Sequence, residues 1–384
     1  FGKRDDDFSS LGDYSVNKKK LRRGIPRLVK KVNDIGLMFG IWVEPEMVSE
    51  DSELYKLHPN WAIKLPNRDI SLGRNQMILD LTNPLVCDYI YNNLSDLFSS
   101  SNIEYCKWDM NRNFSDLYSN YLPTEDQYSF NHKYVLGLYS ILGKLNINFP
   151  HILFESCSSG GNRFDMGMLC YMPQTWTSDN TDAYERQLIQ YGTTMIYPPS
   201  TMGNHVSSSP NHQTFRTSPI ETRFNTAAFG LLGYELDLAK LTNIESKIVK
   251  KQIEWYKEHR ETLQFGKFKR LLNPFDNEKC RWMMKGSEIL IGDYQQLNKP
   301  NPGYELIKVP FVEKVKYEFS NITQFVDVRT LGDHLNSVLP IKIKINGLVH
   351  MLISNNYLFE VEKEDRTLHG NMIKNHGIVP KQRF

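Results

Sequence analysis

The feature that most constrains the fold is a series of short apolar segments between about residues 35 and 260, each ending in polar residues. Helical patterns lie between these segments. One helix is predicted to begin at Asp182, whose carboxylate can cap it, with Glu185 completing a capping box. Strands that alternate with helices predict parallel βα units. The predicted strands are 36–46, 103–109, 151–157, 174–179, 193–200 and 233–238.

The clearest helical pattern covers 131–146 and ends before Pro150, which separates it from the next strand. Apolar residues recur there at helical spacing, so we expect one face of this helix to be buried. The predicted core positions are Val135, Leu138, Tyr139, Leu142 and Leu145.

The sequence changes in character after about residue 262. Strand-like segments are then separated by turn residues, without convincing helices between them, which is typical of an antiparallel β domain. We therefore predict two domains, 1–262 and 263–384. The predicted strands of the second domain are 267–273, 280–286, 288–297, 316–320 and 341–346.

Composition limits the classes of function. The 384 residues carry a net charge of +2 without a basic stripe, so a nucleic-acid partner is not expected. No apolar run approaches the roughly 18 residues of a membrane-spanning helix. The five widely spaced cysteines include no C-x-x-C, which favours reduced thiols and a cytoplasmic protein. The chain begins at Phe1 rather than Met, so we expect a truncated N-terminus.

Charged residues crowd the end of the predicted strand 103–109. Side chains alternate along a strand, so Lys107 and Asp109 share one face, roughly 6.6 Å apart, while Cys106 and Trp108 point to the other. In parallel βα folds the catalytic groups lie at the carboxyl ends of the strands. A surface ion pair remains an alternative interpretation of this stretch alone.

Other predicted strand ends carry carboxylates, with Trp42 and Arg74 nearby. Two carboxylates in different environments can serve acid-assisted glycoside cleavage, and a Trp face with Arg and Lys donors suits a sugar. The additional acidic residues are Glu44, Glu46, Asp179 and Asp182.

Three competing motifs are weak. The segment ESCSSGGNRFD at 155–165 is not G-x-S-x-G, and a Cys157 nucleophile would need a base, whereas His151 should lie at the far end of its strand. His205 and His212 lack the spacing of a metal site. The acidic run at 4–7 lacks calcium-loop spacing, so a solvated turn is expected.

The motifs as a series closely resemble the α-galactosidases of glycoside hydrolase family 36. The resemblance runs from residue 1 to about 300 and continues weakly to the end. It implies a (β/α)8 TIM barrel lacking its first two strands, so that 1–262 holds strands 3–8, followed by a C-terminal antiparallel β-sandwich domain at 263–384. The motifs are FGKRDDDFSSLGDY, GIWVEPEMVS, GRNQMILDLTNP, YCKWDMNRN, HILFESCSSGGNRFDMGML, WTSDNTDAYERQLIQYG, TMGNHVSSSPNHQTFRTSPIETR and GYELDL.

The resemblance also implies roles for single residues. Asp109 corresponds to the family's nucleophile and Asp179 to its general acid/base, whereas Asp165 is not expected to be catalytic. Ser159 stands where many members carry Gly, a departure that could trim the pocket. The positions that match galactose-contacting residues are Trp42, Arg74, Lys107, Cys157 and Gly160.

The implied activity is retaining hydrolysis of terminal α-linked galactose from oligosaccharides such as melibiose and raffinose, without a metal or organic cofactor. Lys107 is expected to keep Asp109 ionised. The resemblance also implies a homo-oligomer, often a tetramer, for the longer enzyme. The alternatives are a transglycosylase similar to raffinose synthase, an α-N-acetylgalactosaminidase, and a galactose-binding fragment without activity.

Overall fold

The structure is a computed structural model that describes residues 4–6, 8–275, 278–297, 300, 303, 305–322, 324–326, 328–356, 359–361 and 363–380. The chain forms two compact units, residues 1–179 and 180–384. The fold is α/β, with parallel strands and separate antiparallel sheets, as the sequence predicts. Among the described residues, no helix combines the length and the apolar character that a membrane span requires.

The first unit contains four parallel strands, in the order β1-β4-β5-β6, and a small antiparallel pair formed by β2 and β3. Its strands are β1 (Gly40–Val43), β2 (Met47–Val48), β3 (Met77–Ile78), β4 (Tyr105–Asp109), β5 (Leu153–Cys157) and β6 (Gln174–Trp176). Its helices are α1 (Gly24–Asp34), α2 (Glu53–Leu57), α3 (Pro84–Ser99), α4 (Phe130–Asn148) and α5 (Met166–Leu169). The predicted strands 36–46, 103–109, 151–157 and 174–179 are confirmed in shorter form.

Helix α4 confirms the predicted helix 131–146, but its buried face differs slightly from the prediction. Tyr134 is 2% exposed and Ile141 is 1% exposed, whereas Val135 is 40% exposed. Tyr139 is only partly buried. Leu138, Leu142 and Leu145 are buried as predicted, and the buried face also includes Phe130, Tyr134 and Ile141.

The second unit contains the parallel pair β7 and β8 and three antiparallel sheets, in which β10 lies between β9 and β11, β12 pairs with β15, and β13 pairs with β14. Its strands are β7 (Met202–Ser207), β8 (Leu231–Glu235), β9 (Lys267–Leu272), β10 (Lys279–Lys285), β11 (Ile289–Gln295), β12 (Lys316–Ser320), β13 (Gln324–Val326), β14 (Phe359–Val361) and β15 (Asp365–His369). Its helices are α6 (Ala183–Thr193), α7 (Ile220–Ala227), α8 (Asn243–Phe265), α9 (Leu335–Val338), α10 (Leu348–Asn356) and α11 (Gly370–Asn375).

The predicted helix start at Asp182 is confirmed, because its carboxylate accepts a hydrogen bond from the backbone N–H of Tyr184 (2.9 Å). The predicted capping box does not form: the backbone N–H of Asp182 donates to Asn180 instead of Glu185.

The predicted strand 193–200 is wrong. Helix α6 continues to Thr193, and Pro199 begins a short 3₁₀ helix, so the strand starts only at Met202. This strand, β7, has the polar sequence MGNHVS but is almost entirely buried. Because its residues lack the apolar character of a typical buried strand, the sequence did not predict it.

The predicted antiparallel strands after residue 262 are confirmed for β9, β10, β11 and β12. The prediction of a strand at 341–346 is wrong, since these residues form a loop and turn before α10. The expectation of no helices in this region is also wrong, because α9, α10 and α11 lie there. Helix α8 runs across the predicted boundary at 262/263, and the division into domains 1–262 and 263–384 stays a prediction.

All five cysteines are free thiols, as predicted, and four of them are buried. Burial raises the pKa of Cys87 to about 11 and that of Cys280 to about 12, because the charged thiolate is poorly solvated there. Cys170 is exposed.

Candidate active site

The predicted site residues of the first unit gather at the carboxyl ends of its parallel strands. Strand β4 ends at Asp109, its neighbour β5 ends at Cys157, and Asp179 follows β6 by three residues. Asp109 and Cys157 are direct neighbours in the register of β4 and β5. Because the strands are parallel, these ends lie at one edge of the sheet.

Asp109 is almost buried, at 7% exposure, and its two oxygens have different surroundings. Oδ2 accepts hydrogen bonds from Trp42 Nε1 (3.2 Å) and from Asn111 Nδ2 (2.7 Å). Oδ1 is buried and accepts no hydrogen bond from a nitrogen or oxygen donor of the described residues. The predicted alternation along β4 is confirmed, since Cys106 and Trp108 are fully buried in the core.

The Cys157 thiol lies next to this carboxylate. Burial raises the pKa of Cys157, and the charge of Asp109 raises it further. The thiol is therefore neutral at neutral pH, where a cysteine nucleophile would need to be a thiolate. This environment agrees with the sequence argument against a thiol enzyme.

Lys107 forms its ion pair with Glu155, at 3.0 Å between Nζ and Oε1. The sequence predicts Asp109 as the charge partner of Lys107. In the structure, Lys107 instead pairs with Glu155 on the neighbouring strand β5. Glu155 is 1% exposed and also accepts hydrogen bonds from Gln174 (2.7 Å) and from the Tyr105 hydroxyl. Sequence reasoning missed Glu155, although an acidic residue inside the apolar segment HILFESC was a signal for it.

Asp179 is connected to the same group of residues through Trp176. The Trp176 indole donates from Nε1 to Asp179 Oδ1 (3.1 Å), and Lys107 Nζ lies 4.6 Å from the centroid of the same ring. Asp179 is exposed, whereas Asp109 is buried. The two carboxylates therefore have different environments at one end of the sheet, as an acid and a nucleophile require.

Gly160 holds the loop after β5 against the backbone of Asp179. Its φ is +86°, and a Cβ at this position would lie 2.8 Å from Ser178 Cα and 3.2 Å from Asp179 N. No side chain fits this approach without displacing the backbone. A glycine is required here both for its backbone conformation and for its lack of a Cβ.

A cavity of about 360 Å³ in the first unit brings Trp42 and Arg74 together. Glu44 also lines it, paired with Arg4 at 2.8 Å and bonded to Asn111 Nδ2 at 2.5 Å. Burial raises the pKa of Glu44. The other lining residues are Asp5, Asp6, Ser10, Leu11, Gly12, Asp13, Tyr14 and Val43. Sequence reasoning did not single out Arg4 or Asn111.

Several acidic residues that the sequence offered have structural contacts instead. Glu46 is fully buried and accepts hydrogen bonds from Trp108, Tyr134 and Arg163. Asp165 caps the short helix α5 through a bond from Met168 N (2.7 Å). Glu46 therefore makes its contacts within the core, and Asp165 makes its contact at the start of a helix.

In the second unit, Asp182 caps α6 and pairs with Arg216 at 2.8 Å. His205 Nδ1 lies 3.0 Å from Glu235 Oε2. Over the part of the chain that the structure describes, no three His, Cys, Asp or Glu side chains come together in a way that could hold a metal ion.

Comparisons with known proteins give the family. The profile of the Melibiase family matches residues 1–266. Alpha-galactosidase AgaA of Geobacillus stearothermophilus is 52% identical over 304 residues, which cover 78% of this chain and 42% of that protein. Alpha-galactosidase 1 of Pediococcus pentosaceus is 52% identical over 283 residues, which cover 74% of this chain and 39% of that protein.

The solved structures agree with the sequence comparisons. The GH36 alpha-galactosidase AgaB of G. stearothermophilus matches with a TM-score of 0.86 at 42% identity, covering 100% of this chain and 48% of that one. A variant of AgaA in complex with raffinose matches with the same values. The chain thus spans less than half the length of these relatives. The predicted resemblance to the family 36 α-galactosidases is confirmed, and since the family profile covers more than half of its residues, the chain belongs to the Melibiase family.

Proposed function

We propose that this chain carries the galactose-binding and catalytic groups of an α-galactosidase that releases terminal α-linked galactose from oligosaccharides such as melibiose and raffinose. The observation that carries the proposal is the pair of carboxylates in unlike environments, Asp109 nearly buried and Asp179 exposed, at one end of the parallel strands. Further support comes from relatives named alpha-galactosidase and from the variants of AgaA that were solved with raffinose and with stachyose.

The reaction is a double displacement with retention of configuration. Asp109 attacks the anomeric carbon, the bond to the leaving oxygen breaks, and Asp179 gives that oxygen its proton. Asp179 then takes a proton from water as the water oxygen attacks the anomeric carbon and Asp109 is released. Two inversions restore the α configuration. Retention needs carboxyl groups roughly 5–5.5 Å apart.

The remaining site residues hold the sugar. The Trp42 ring offers a flat surface to C–H groups, and its indole N–H orients Asp109. Arg74 and Lys107 donate to hydroxyls, and Lys107 keeps its ammonium group over Trp176. The neutral Cys157 thiol and the bare backbone at Gly160 leave room for the galactose ring.

The proposal extends to the architecture and the setting of the enzyme. The parallel strands form strands 3–8 of a (β/α)8 barrel within 1–262, and 263–384 form a β-sandwich. The enzyme works in the cytoplasm and assembles as a tetramer. The spread of free thiols supports the reducing compartment.

The test uses the 384-residue chain and a chimera of AgaA from G. stearothermophilus in which the 304 matched residues are replaced by those of this chain. Both are assayed with aryl α-galactoside, melibiose and raffinose. In whichever of the two proteins is active, Asp109→Ala should lower kcat by roughly 10⁴-fold or more. Asp179→Ala should lower kcat by roughly 10²- to 10⁴-fold. Near-normal turnover by Asp109→Ala would refute the assignment of the nucleophile.

Rescue by azide distinguishes the nucleophile from the general acid/base. In Asp109→Gly, azide attacks the activated aryl galactoside directly and gives a β-galactosyl azide, whereas in Asp179→Ala it attacks the galactosyl enzyme and gives the α anomer. The reverse pattern would exchange the assignments. Assays with sucrose as acceptor and with an aryl α-N-acetylgalactosaminide measure the two alternative activities, and galactose binding without turnover by the chimera would identify a binding module.

A further inference from the structure

Ser159 is hydrogen bonded to Asn111, and Asn111 is hydrogen bonded to Asp109. The Ser159 hydroxyl donates to Asn111 Oδ1 (3.2 Å), and Asn111 Nδ2 donates both to Asp109 Oδ2 (2.7 Å) and to Glu44 Oε1 (2.5 Å). The two acidic acceptors require the NH₂ group of the amide to face them. The amide oxygen must then point away, towards Ser159.

The Asp109 carboxylate is oriented by two nitrogen donors at Oδ2 and by the neighbouring Cys157 thiol. Its other oxygen, Oδ1, is buried and receives no hydrogen bond from a nitrogen or oxygen of the described residues. Of the two donors at Oδ2, Asn111 is the nearer, at 2.7 Å against 3.2 Å for Trp42. A rotation of the Asn111 amide would therefore remove the nearer nitrogen donor and weaken the restraint on the χ2 angle of Asp109.

Ser159 occupies a backbone conformation that suits glycine. Its φ is +48°, in the left-handed region, and it precedes Gly160, whose φ is +86°. A serine at such a φ costs conformational energy that a glycine would not. Strained backbone conformations of this kind cluster at functional sites. Within the described part of the chain, the Ser159 side chain makes one hydrogen bond, to Asn111.

We propose that Ser159 is a positioning residue for the reaction: its hydroxyl holds the Asn111 amide, which in turn holds the Asp109 carboxylate in the orientation for attack. The proposal rests on the proposed function, because it takes Asp109 as the nucleophile. Ser159 itself does not need to touch the sugar. Its effect should appear in kcat and leave KM unchanged, since a misaligned carboxylate affects the transition state more than ground-state binding.

The first test separates positioning from loop stability with three variants of Ser159, in the 384-residue chain and in the chimera. Ser159→Ala and Ser159→Gly both remove the hydroxyl, and we expect kcat to fall about 3- to 10-fold in both, the effect of one neutral hydrogen bond. Ser159→Gly also relieves the strain, so its Tm should equal or exceed that of the parent. Ser159→Thr keeps the hydroxyl but adds a β-branch, so its Tm should fall while kcat stays within about 2-fold.

A purely structural role for Ser159 predicts the opposite pattern, in which kcat follows Tm through the series. Ser159→Gly with parental or higher kcat would overturn the proposal. Asn113→Ala, which removes an exposed amide two residues beyond Asn111 on the same loop, is the matched control and should leave kcat unchanged.

The second test asks whether Ser159 acts through Asp109. In an Asp109→Gly background with azide, no carboxylate remains to be oriented, so Ser159→Ala should no longer lower the rescued rate. An equal loss in both backgrounds would overturn the proposal. Turnover by Asp109→Gly without azide would instead refute the proposed function, so the two failures are distinguishable.

A crystal structure of the Ser159→Gly chain gives a readout that does not depend on activity. We expect the Asn111 amide to rotate and the Asp109 carboxylate to adopt more than one χ2 orientation. Unchanged positions of both side chains would overturn the proposal, whatever the kinetics.

Discussion

Lys107 pairs with Glu155 on the neighbouring strand, not with Asp109 two residues away on its own strand. Lys107 and Asp109 share a face of β4, but the register places Lys107 directly beside Glu155. Glu155 is 1% exposed, and the ion pair therefore ties an almost buried carboxylate to the ammonium group that lies over Trp176. Glu155 thus fixes Lys107 at the edge where the proposed chemistry takes place.

Replacing Glu155 with Gln should destabilise the chain by about 2–3 kcal/mol, because Lys107 loses a charged partner in a largely desolvated setting. The measurement is urea unfolding followed by circular dichroism. Asp126→Asn is the matched control, since Asp126 pairs with Lys133 at 2.6 Å where both side chains are more than a third exposed. That change should cost less than about 1 kcal/mol. Equal losses in the two variants would contradict this account of the buried pair.

Gly160→Ala should damage both stability and turnover. The new Cβ would meet the backbone of Ser178 at 2.8 Å and that of Asp179 at 3.2 Å, so Asp179 must move. A displacement of about 1 Å near the reacting groups can cost roughly 10²-fold in rate. We expect a loss of that size in kcat, measured with melibiose as substrate.

Gly36→Ala is the control for Gly160→Ala. Gly36 has a similar φ, +81°, but a Cβ there meets no atom within 4 Å. It should carry only the conformational cost of about 1 kcal/mol, with kcat unchanged. If the two alanine variants lost the same amount of activity, the close approach at Gly160 would not be what positions Asp179.

Parts of this site follow from sequence periodicity and parts do not. The alternation along β4 places Asp109 and Lys107 on one face because the period of a strand is two, and helix caps such as Asp182 depend on nearby residues alone. The partner of Lys107 depends on the register with β5, which a single strand does not encode. Strand β7 was missed for a related reason: its polar residues are buried by tertiary contacts, against their local preference.

Asp165→Ala separates a capping carboxylate from a catalytic one. Asp165 accepts the hydrogen bond of Met168 N at the start of α5, so its loss should cost about 1 kcal/mol of stability and leave kcat unchanged. Asp179→Ala should show the reverse, a large loss in kcat with a small change in Tm. Thermal unfolding and steady-state kinetics on both variants check this, and a large kcat loss in Asp165→Ala would place that carboxylate in the reaction.

Thiol labelling should find one reactive cysteine in the native chain. Cys170 is exposed, whereas Cys87, Cys106, Cys157 and Cys280 are buried, and burial raises the pKa of each of these four. Iodoacetamide reacts with the thiolate, so at pH 8 we expect one modification per native chain and five after denaturation, counted by mass spectrometry. Fast native labelling of Cys157 would contradict a neutral thiol beside Asp109.

The stability that Glu44 contributes should decline as pH rises. Burial raises the pKa of Glu44 above its ordinary 4.5, so the folded chain holds this proton more tightly than the unfolded chain does. The resulting stabilisation is fully present below pH 4.5 and is lost as pH rises through the raised pKa. Glu44→Gln cannot titrate at this position. The stability of the parent minus that of Glu44→Gln should therefore fall as the pH rises above 4.5, measured by urea unfolding at each pH. A difference that instead grew with pH would mean that the ion pair with Arg4, at 2.8 Å, outweighs the cost of burying the charge.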